Sequence, residues 1–282
     1  MSNAFDTASL ERFRSLYPER AGKLAHNISA HPMLELEALA RLAATINPAH
    51  VEYNSGNLPV GVDPNAVPGN GLSIEQTIRS IEENNSWMVL KWIENDPAYA
   101  ALLQETLAPL RALVEPLTGP MLTLQGFIFV SSPNAVTPYH MDPEHNILLQ
   151  IRGHKTMTVF PSVDDELLSD VDHERYHMGG HRNLVWRDEF ARKGSAFPLA
   201  PGEAVYVPVK SPHWVKVGTE LSISMSVTWR SHWSYREADA RGFNHVVRRL
   251  GLKPAAPGRY PHQNYAKAYA FRALRRLGLS GN

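Results

Sequence analysis

Two stretches of this chain, TPYHMDPEHNILLQIRGHKTMTVF at 137–160 and PGEAVYVPVKSPHW at 201–214, restrict its fold more than any other feature. His140 and Asp142 are two residues apart, and on an extended strand that spacing turns both side chains to one face, where an imidazole and a carboxylate can grip a single ion. His213 is the third candidate ligand. Two histidines and one carboxylate on one side of a metal suit non-haem Fe(II), because the opposite positions stay open. With 13 His and 28 Asp+Glu in 282 residues, a His-x-Asp/Glu triplet arises by chance about once, so the context has to carry the reading. Between the two stretches lie a polar turn (Arg152, Gly153), a strand ending at Phe160-Pro161 and a His-rich loop. The second stretch opens on a Pro-Gly turn and alternates over 204–207 just before His213. The fold must therefore be a β-structure that brings residues about 70 positions apart side by side.

Strands are expected at 121–130, 146–151, 156–160, 204–207 and 221–229. The clearest alternation is SISMSVTW, with Ile223, Met225 and Val227 on one face and Ser222, Ser224, Ser226 and Thr228 on the other. Either face of that strand is compatible with lining a pocket. Around the strands, helical spacing predicts helices at 10–17, 33–46, 97–114, 236–251 and 264–277, the last capped by Asn264 and stopped by Gly278. Ser73 with Gln76 has the form of a capping box and starts a helix reaching about residue 84. The segment 86–93 (SWMVLKWI) reads as a short strand. The Gly-, Pro- and Asn-rich segment 52–72 reads as a loop, either covering a site or mobile.

The order His-x-Asp, Gly-x-Lys before a strand ending Phe-Pro, and Pro-Gly-Glu before a distal His resembles the JmjC/cupin-like 2-oxoglutarate oxygenases, closest to their asparaginyl-hydroxylase branch. The resemblance covers 121–229 and implies a double-stranded β-helix (jelly-roll) core. The expected architecture is mainly β with helical additions. A helical region at 1–120 packs on a catalytic core at 121–235, followed by basic helices at 236–282, all one structural unit. The resemblance implies iron on His140, Asp142 and His213, and the co-substrate 2-oxoglutarate on Lys155, Thr137 and Asn146, with O2 as the other co-substrate. Lys155 supplies the cation for the distal carboxylate and the Thr137 hydroxyl a second donor, while Asn146 meets the metal-proximal end. Beyond the ligands it implies no further catalytic side chain. Lys91 lies where the branch places a polar contact near the co-substrate. The implied activity is hydroxylation of a protein side chain or small molecule with release of succinate and CO2. The alternatives are lysine demethylation, tRNA-base hydroxylation, or a non-catalytic cupin that senses a metal or ligand.

Composition adds limits. The absence of cysteine excludes disulfides and thiolate metal sites, and 43% hydrophobic with 20% charged residues is a globular balance. No apolar run reaches the roughly 20 residues of a membrane span, and the first residues lack a signal pattern, so the expectation is a soluble cytoplasmic protein. Formal net charge is zero, yet nine of the 28 basic residues and none of the 28 acidic ones follow Asp239. A basic tail and an acidic body attract each other within the chain or across a dimer; an anionic partner such as RNA is the alternative. The stripe Tyr265, Tyr269, Ala273, Leu277 points to a homodimer contact through the C-terminal helices. His173, His177 and His181 are spaced by fours, which would gather them only on a helix, and Gly179-Gly180 opposes one; a substrate-covering or surface loop over 162–196 is the expectation.

Overall fold

The computed structural model describes residues 3–56, 58–62 and 69–280. Pro64 and Pro68, part of the expected loop at 52–72, lie outside the described residues. Eleven strands are described: β1 Gly22–Ala25, β2 Val51–Ser55, β3 Ser86–Lys91, β4 Leu122–Ser131, β5 Val136–His140, β6 His145–Arg152, β7 Lys155–Val159, β8 Ser195–Leu199, β9 Glu203–Val207, β10 His213–Val217 and β11 Ser222–Arg230. They form a seven-stranded sheet, β1-β9-β6-β11-β4-β3-β2, facing a four-stranded sheet, β5-β10-β7-β8. Every pairing is antiparallel. The jelly-roll expectation holds, and strands β1, β2 and β3 from the N-terminal region extend its larger sheet. Part of the segment expected as a loop from residue 52 is thus strand β2, paired with β3 from Val51↔Leu90 to Ser55↔Ser86.

Period-2 alternation assigns each face of the large sheet. Ile223, Met225 and Val227 of β11 join Ile128, Val130, Ile147 and Leu149 in the main core, beneath helices α1 Thr7–Leu16, α2 Leu36–Thr45, α4 Pro97–Leu107 and α5 Arg111–Thr118. Each such side chain contributes about 1.5–3 kcal/mol on burial. Ser222, Ser224, Ser226 and Thr228 face the space between the sheets, where small side chains leave volume for a ligand. Next to the site the same alternation turns His145 outward into the core, stacked on Trp229 with ring centroids 5.2 Å apart, and turns Asn146 inward.

Local signals behave as expected at most helix starts. Helix α3, Ile74–Arg79, carries the Ser73/Gln76 capping box, though it ends well before residue 84. The expected helix at 97–114 is broken by a short turn of 3-10 helix at Ala108–Leu110. The rim segment 162–196 is not a plain loop: α6, Asp170–His177, forms with Ser169 as its cap, and Gly179 follows in the left-handed region only after the helix has ended. Helix α7, His232–Arg249, starts earlier than expected, at a capping box built on Ser231 and Ser234. Helix α8, Tyr265–Arg276, packs on it through Phe271, whose ring lies against Gly242. Asn264 does not cap α8 with its side chain; its Oδ1 accepts the Gly258 N–H at 2.8 Å, which ties down the preceding turn.

Candidate metal and co-substrate site

His140 ends β5 and His213 begins β10, and the two residues are register partners. The pairing sets their rings side by side with centroids 4.2 Å apart. Nδ1 of His140 donates to the Pro138 carbonyl at 2.7 Å, and Nδ1 of His213 to the Ser211 carbonyl at 2.9 Å. A carbonyl only accepts, so the proton of each neutral ring sits on Nδ1 and each Nε2 keeps a free lone pair. Both Nε2 atoms face Asp142 Oδ2, at 3.7 Å and 3.5 Å. Asp142 lies two residues beyond His140, past the end of β5, so the turn and not the strand face delivers its carboxylate. Its backbone is held there by the Lys210 N–H, which donates to the Asp142 carbonyl at 2.8 Å.

Electrostatics prepares the three groups for a cation. Burial pushes His140 down to about 3, and the neighbouring His213 pushes the same way. His213 is also lowered, chiefly by burial. For Asp142 burial works upward, but His140, His213 and Arg182 outweigh it and hold the carboxyl below its usual value. At neutral pH the cluster is therefore two neutral imidazoles and one carboxylate, the protonation state that binds a metal. Among the described residues it is the one group of three or more His, Asp or Glu whose donor atoms lie within 4.8 Å of one another. The donor set and the lone pairs fit a facially bound Fe(II).

The triad stands in a cavity of about 280 Å³ between the sheets, lined also by Thr137, Asn146 and Lys155. Lys155 opens β7 and is 5% exposed, and its Nζ donates to Ser224 Oγ at 2.7 Å. Burial alone pushes its ammonium down to about 7. A buried lysine with one neutral hydrogen-bond partner in a cavity wall is suited to an anion. Gly153 makes this placement possible. At φ +65° it occupies the left-handed region, and a Cβ there would meet the Leu221 carbonyl oxygen at 2.1 Å. Asn146, 5% exposed, has a buried Oδ1 with no partner among the described residues, and the Trp87 Nε1 in the same cavity is in the same state. Such orphaned polar atoms fit a ligand that brings polar groups of its own.

Lys91 also lines the cavity, but its charge is paired with Glu52 of β2. The histidines of the rim do not gather into a second site. His173 and His177 are one turn apart on α6, and His177 Nε2 stands 4.0 Å from Glu237, whose carboxylate is already taken by Lys210 and Arg241. His181 lies beyond the helix, where its Nδ1 accepts the Asn183 N–H at 3.0 Å. Sequence reasoning missed three residues of the mouth. Glu144 is raised to about 7 by burial and by the charge of Asp142. Arg182 stands 3.6 Å from Asp142, and Tyr176 comes from α6. None of the three carried a periodic signal, because 141–144 is a turn between β5 and β6, and α6 and Arg182 lie far along the chain.

Comparison with known proteins agrees with this architecture. Residues 73–235 match the family model described as "Cupin-like domain". A lysine-specific demethylase 8 of Xenopus tropicalis is 32% identical over 100 residues, which is 33% of this chain and 22% of that protein. Lysine-specific demethylase JMJ30 of Arabidopsis thaliana is 32% identical over 116 residues, 37% of this chain and 24% of that protein. The match thus spans less than a quarter of the length of these curated relatives. Among solved structures, Escherichia coli ycfD superposes with a TM-score of 0.53 at 18% identity, covering 96% of this chain and 68% of that one. A second structure, titled as the ribosomal oxygenase YcfD, gives 0.50 at 16% identity, covering all of this chain and 69% of that one. At these identities the likeness is one of fold.

Proposed function

We propose that this chain, which belongs to the cupin-like domain family, is an Fe(II)- and 2-oxoglutarate-dependent oxygenase that hydroxylates a protein side chain or a small molecule. The observation that carries the reading is the pairing, in one cavity, of the His140, Asp142, His213 cluster with the buried Lys155. His140, Asp142 and His213 hold the iron. Lys155, set by Gly153 and Ser224, takes the distal carboxylate of 2-oxoglutarate, with the Thr137 hydroxyl as a second donor. Asn146 meets the end nearer the metal. Bound there, iron and 2-oxoglutarate supply oxidation of one substrate C–H bond by O2, with release of succinate and CO2. The apolar walls, Trp87, Phe127 and Phe129 among them, keep water from the reacting atoms. Glu144, Arg182 and Tyr176 line the same cavity and would meet the prime substrate.

Succinate formation from 2-oxoglutarate, dependent on added Fe(II) and lost in His140→Ala, tests the reading. A protein that binds metal and 2-oxoglutarate yet forms no succinate with any candidate substrate would be the sensor. The relatives named lysine-specific demethylases favour, as a second reading, oxidation of a methyl group on lysine nitrogen.

Segments 1–120, 121–235 and 236–282 act as one unit in this reading. Two chains pair through the C-terminal helices. Tyr265, Tyr269 and Leu277 are 50%, 58% and 71% exposed along one side of α8, and the two tyrosine rings stack at 5.9 Å, a patch that pairing across a two-fold axis would bury. The tail's charge speaks against RNA: Arg241 pairs with Glu237 and Asp170, Arg248 with Glu174 and Arg272 with Asp239. No described helix is long and apolar enough to cross a membrane. The reading places the protein in the cytoplasm, where Fe(II) and 2-oxoglutarate are both present.

A further inference from the structure

Beneath the turn that carries Asp142 lies a second cluster of buried charge that the reaction does not use. Lys210 is 7% exposed and Glu237 of α7 is 4% exposed, and the two form an ion pair. Glu237 Oε1 also accepts from Arg241 Nε at 2.9 Å, and Arg241 continues to Asp170 at the start of α6. The backbone of Lys210 is unusual in the same way as its side chain. At φ +62° it occupies the left-handed region, where glycine or asparagine is the ordinary choice, and its N–H donates to the Asp142 carbonyl at 2.8 Å. Three residues on, His213 is oriented by the Ser211 carbonyl. One short turn therefore touches two of the three candidate ligands, and the buried side chain of Lys210 ties it to helix α7 through Glu237.

We propose that Lys210 and Glu237 are positioning residues for the metal centre. Their ion pair fixes the turn at 208–212, the turn fixes Asp142 through its carbonyl and His213 through the chain, and metal affinity thereby depends on helix α7. This inference rests on the reading of His140, Asp142 and His213 as metal ligands. A glycine in place of Lys210 would suit the backbone better, so backbone preference does not explain the residue; the partner does. Groups that orient metal ligands from behind change affinity about 10- to 100-fold when removed.

The test uses the full chain and Co(II) as the probe, titrated through its visible absorption. Lys210→Met and Glu237→Gln should each weaken Co(II) binding about tenfold or more and change the spectrum of the bound ion. Arg248→Met breaks another α7 pair, with Glu174 of α6, which does not reach Asp142. It should lower the melting temperature while leaving the Co(II) Kd within about twofold of wild type. If Lys210→Met does not fold, Glu237→Gln decides. The inference is overturned if Lys210→Met and Glu237→Gln lower the melting temperature but keep Co(II) affinity, or if Arg248→Met weakens Co(II) equally. Retention of Co(II) by His140→Ala would instead overturn the ligand assignment on which it rests.

Discussion

The affinity for 2-oxoglutarate should fall as pH rises through the neutral range, because the proposed anchor gives up its proton there. Burial pushes the Lys155 ammonium down to about 7, against 10.5 for an ordinary lysine. That difference corresponds to a desolvation cost on the order of 5 kcal/mol for the charged form, which a carboxylate ligand offsets when it arrives. Only the ammonium form pairs with the ligand. The charged fraction is about half at pH 7 and about one-tenth at pH 8, so the Kd should rise roughly fivefold over that unit and about tenfold more by pH 9. The sign follows from the depressed value: bound Lys155 holds its proton to higher pH than free Lys155, so binding takes up a proton above pH 7. His140 and His213 lie below their usual values and stay neutral throughout this window. Glu144, raised to about 7, ionises in the same window and adds repulsion of the same sign. Lys155→Met separates the two, since it leaves the Glu144 contribution in place. It should also weaken binding by about 2–5 kcal/mol, which is roughly 30-fold or more in Kd. The assay is isothermal titration of the Mn(II)-loaded protein with 2-oxoglutarate at pH 6.5 to 9, in buffers of different ionisation enthalpy to count protons. A Kd independent of pH from 7 to 9, with no proton uptake at pH 8, would refute the assignment of Lys155.

Further outcomes are expected at other positions. His140→Ala and Asp142→Ala should each lose bound iron and succinate formation, and full metal content in either variant counts against the triad. Gly153→Ala should cost at least about 2 kcal/mol by denaturant melt, because the new Cβ meets the Leu221 carbonyl in a left-handed backbone, and should weaken 2-oxoglutarate with it; a neutral substitution would show that the turn can rearrange. Tyr265→Glu combined with Tyr269→Glu should turn a dimer into a monomer by light scattering without loss of fold, whereas a monomeric wild type removes the dimer proposal. RNA should bind only weakly at physiological salt, and an affinity that falls steeply with log salt would reopen that partner.

The cluster was legible in the sequence because much of its chemistry is local in type: His-x-Asp and Gly-x-Lys each need particular residues at a short spacing, and the distal His follows a Pro-Gly-Glu turn and an alternating strand. Alternation in 222–229 likewise determined that one face of β11 is hydroxyl and the other apolar. Which face lines the cavity was decided by helices α1, α2, α4 and α5, whose apolar sides require Ile223, Met225 and Val227 as partners. Short-range propensity misjudged α6, because Gly179 and Gly180 weigh against a helix across 173–181, while the helix ends at His177 before reaching them. It also read 52–55 as loop, since a strand beside β3 owes its existence to that neighbour and not to its own periodicity. Lys91 looked available in one dimension; Glu52, 39 residues away, pairs with it in three. The same holds for Lys210 and Asp142. Local chemistry names the candidate ligands, but the burial that lowers Lys155 and the contacts that aim Asp142 arise from segments far apart in the chain, and only their packing brings them together.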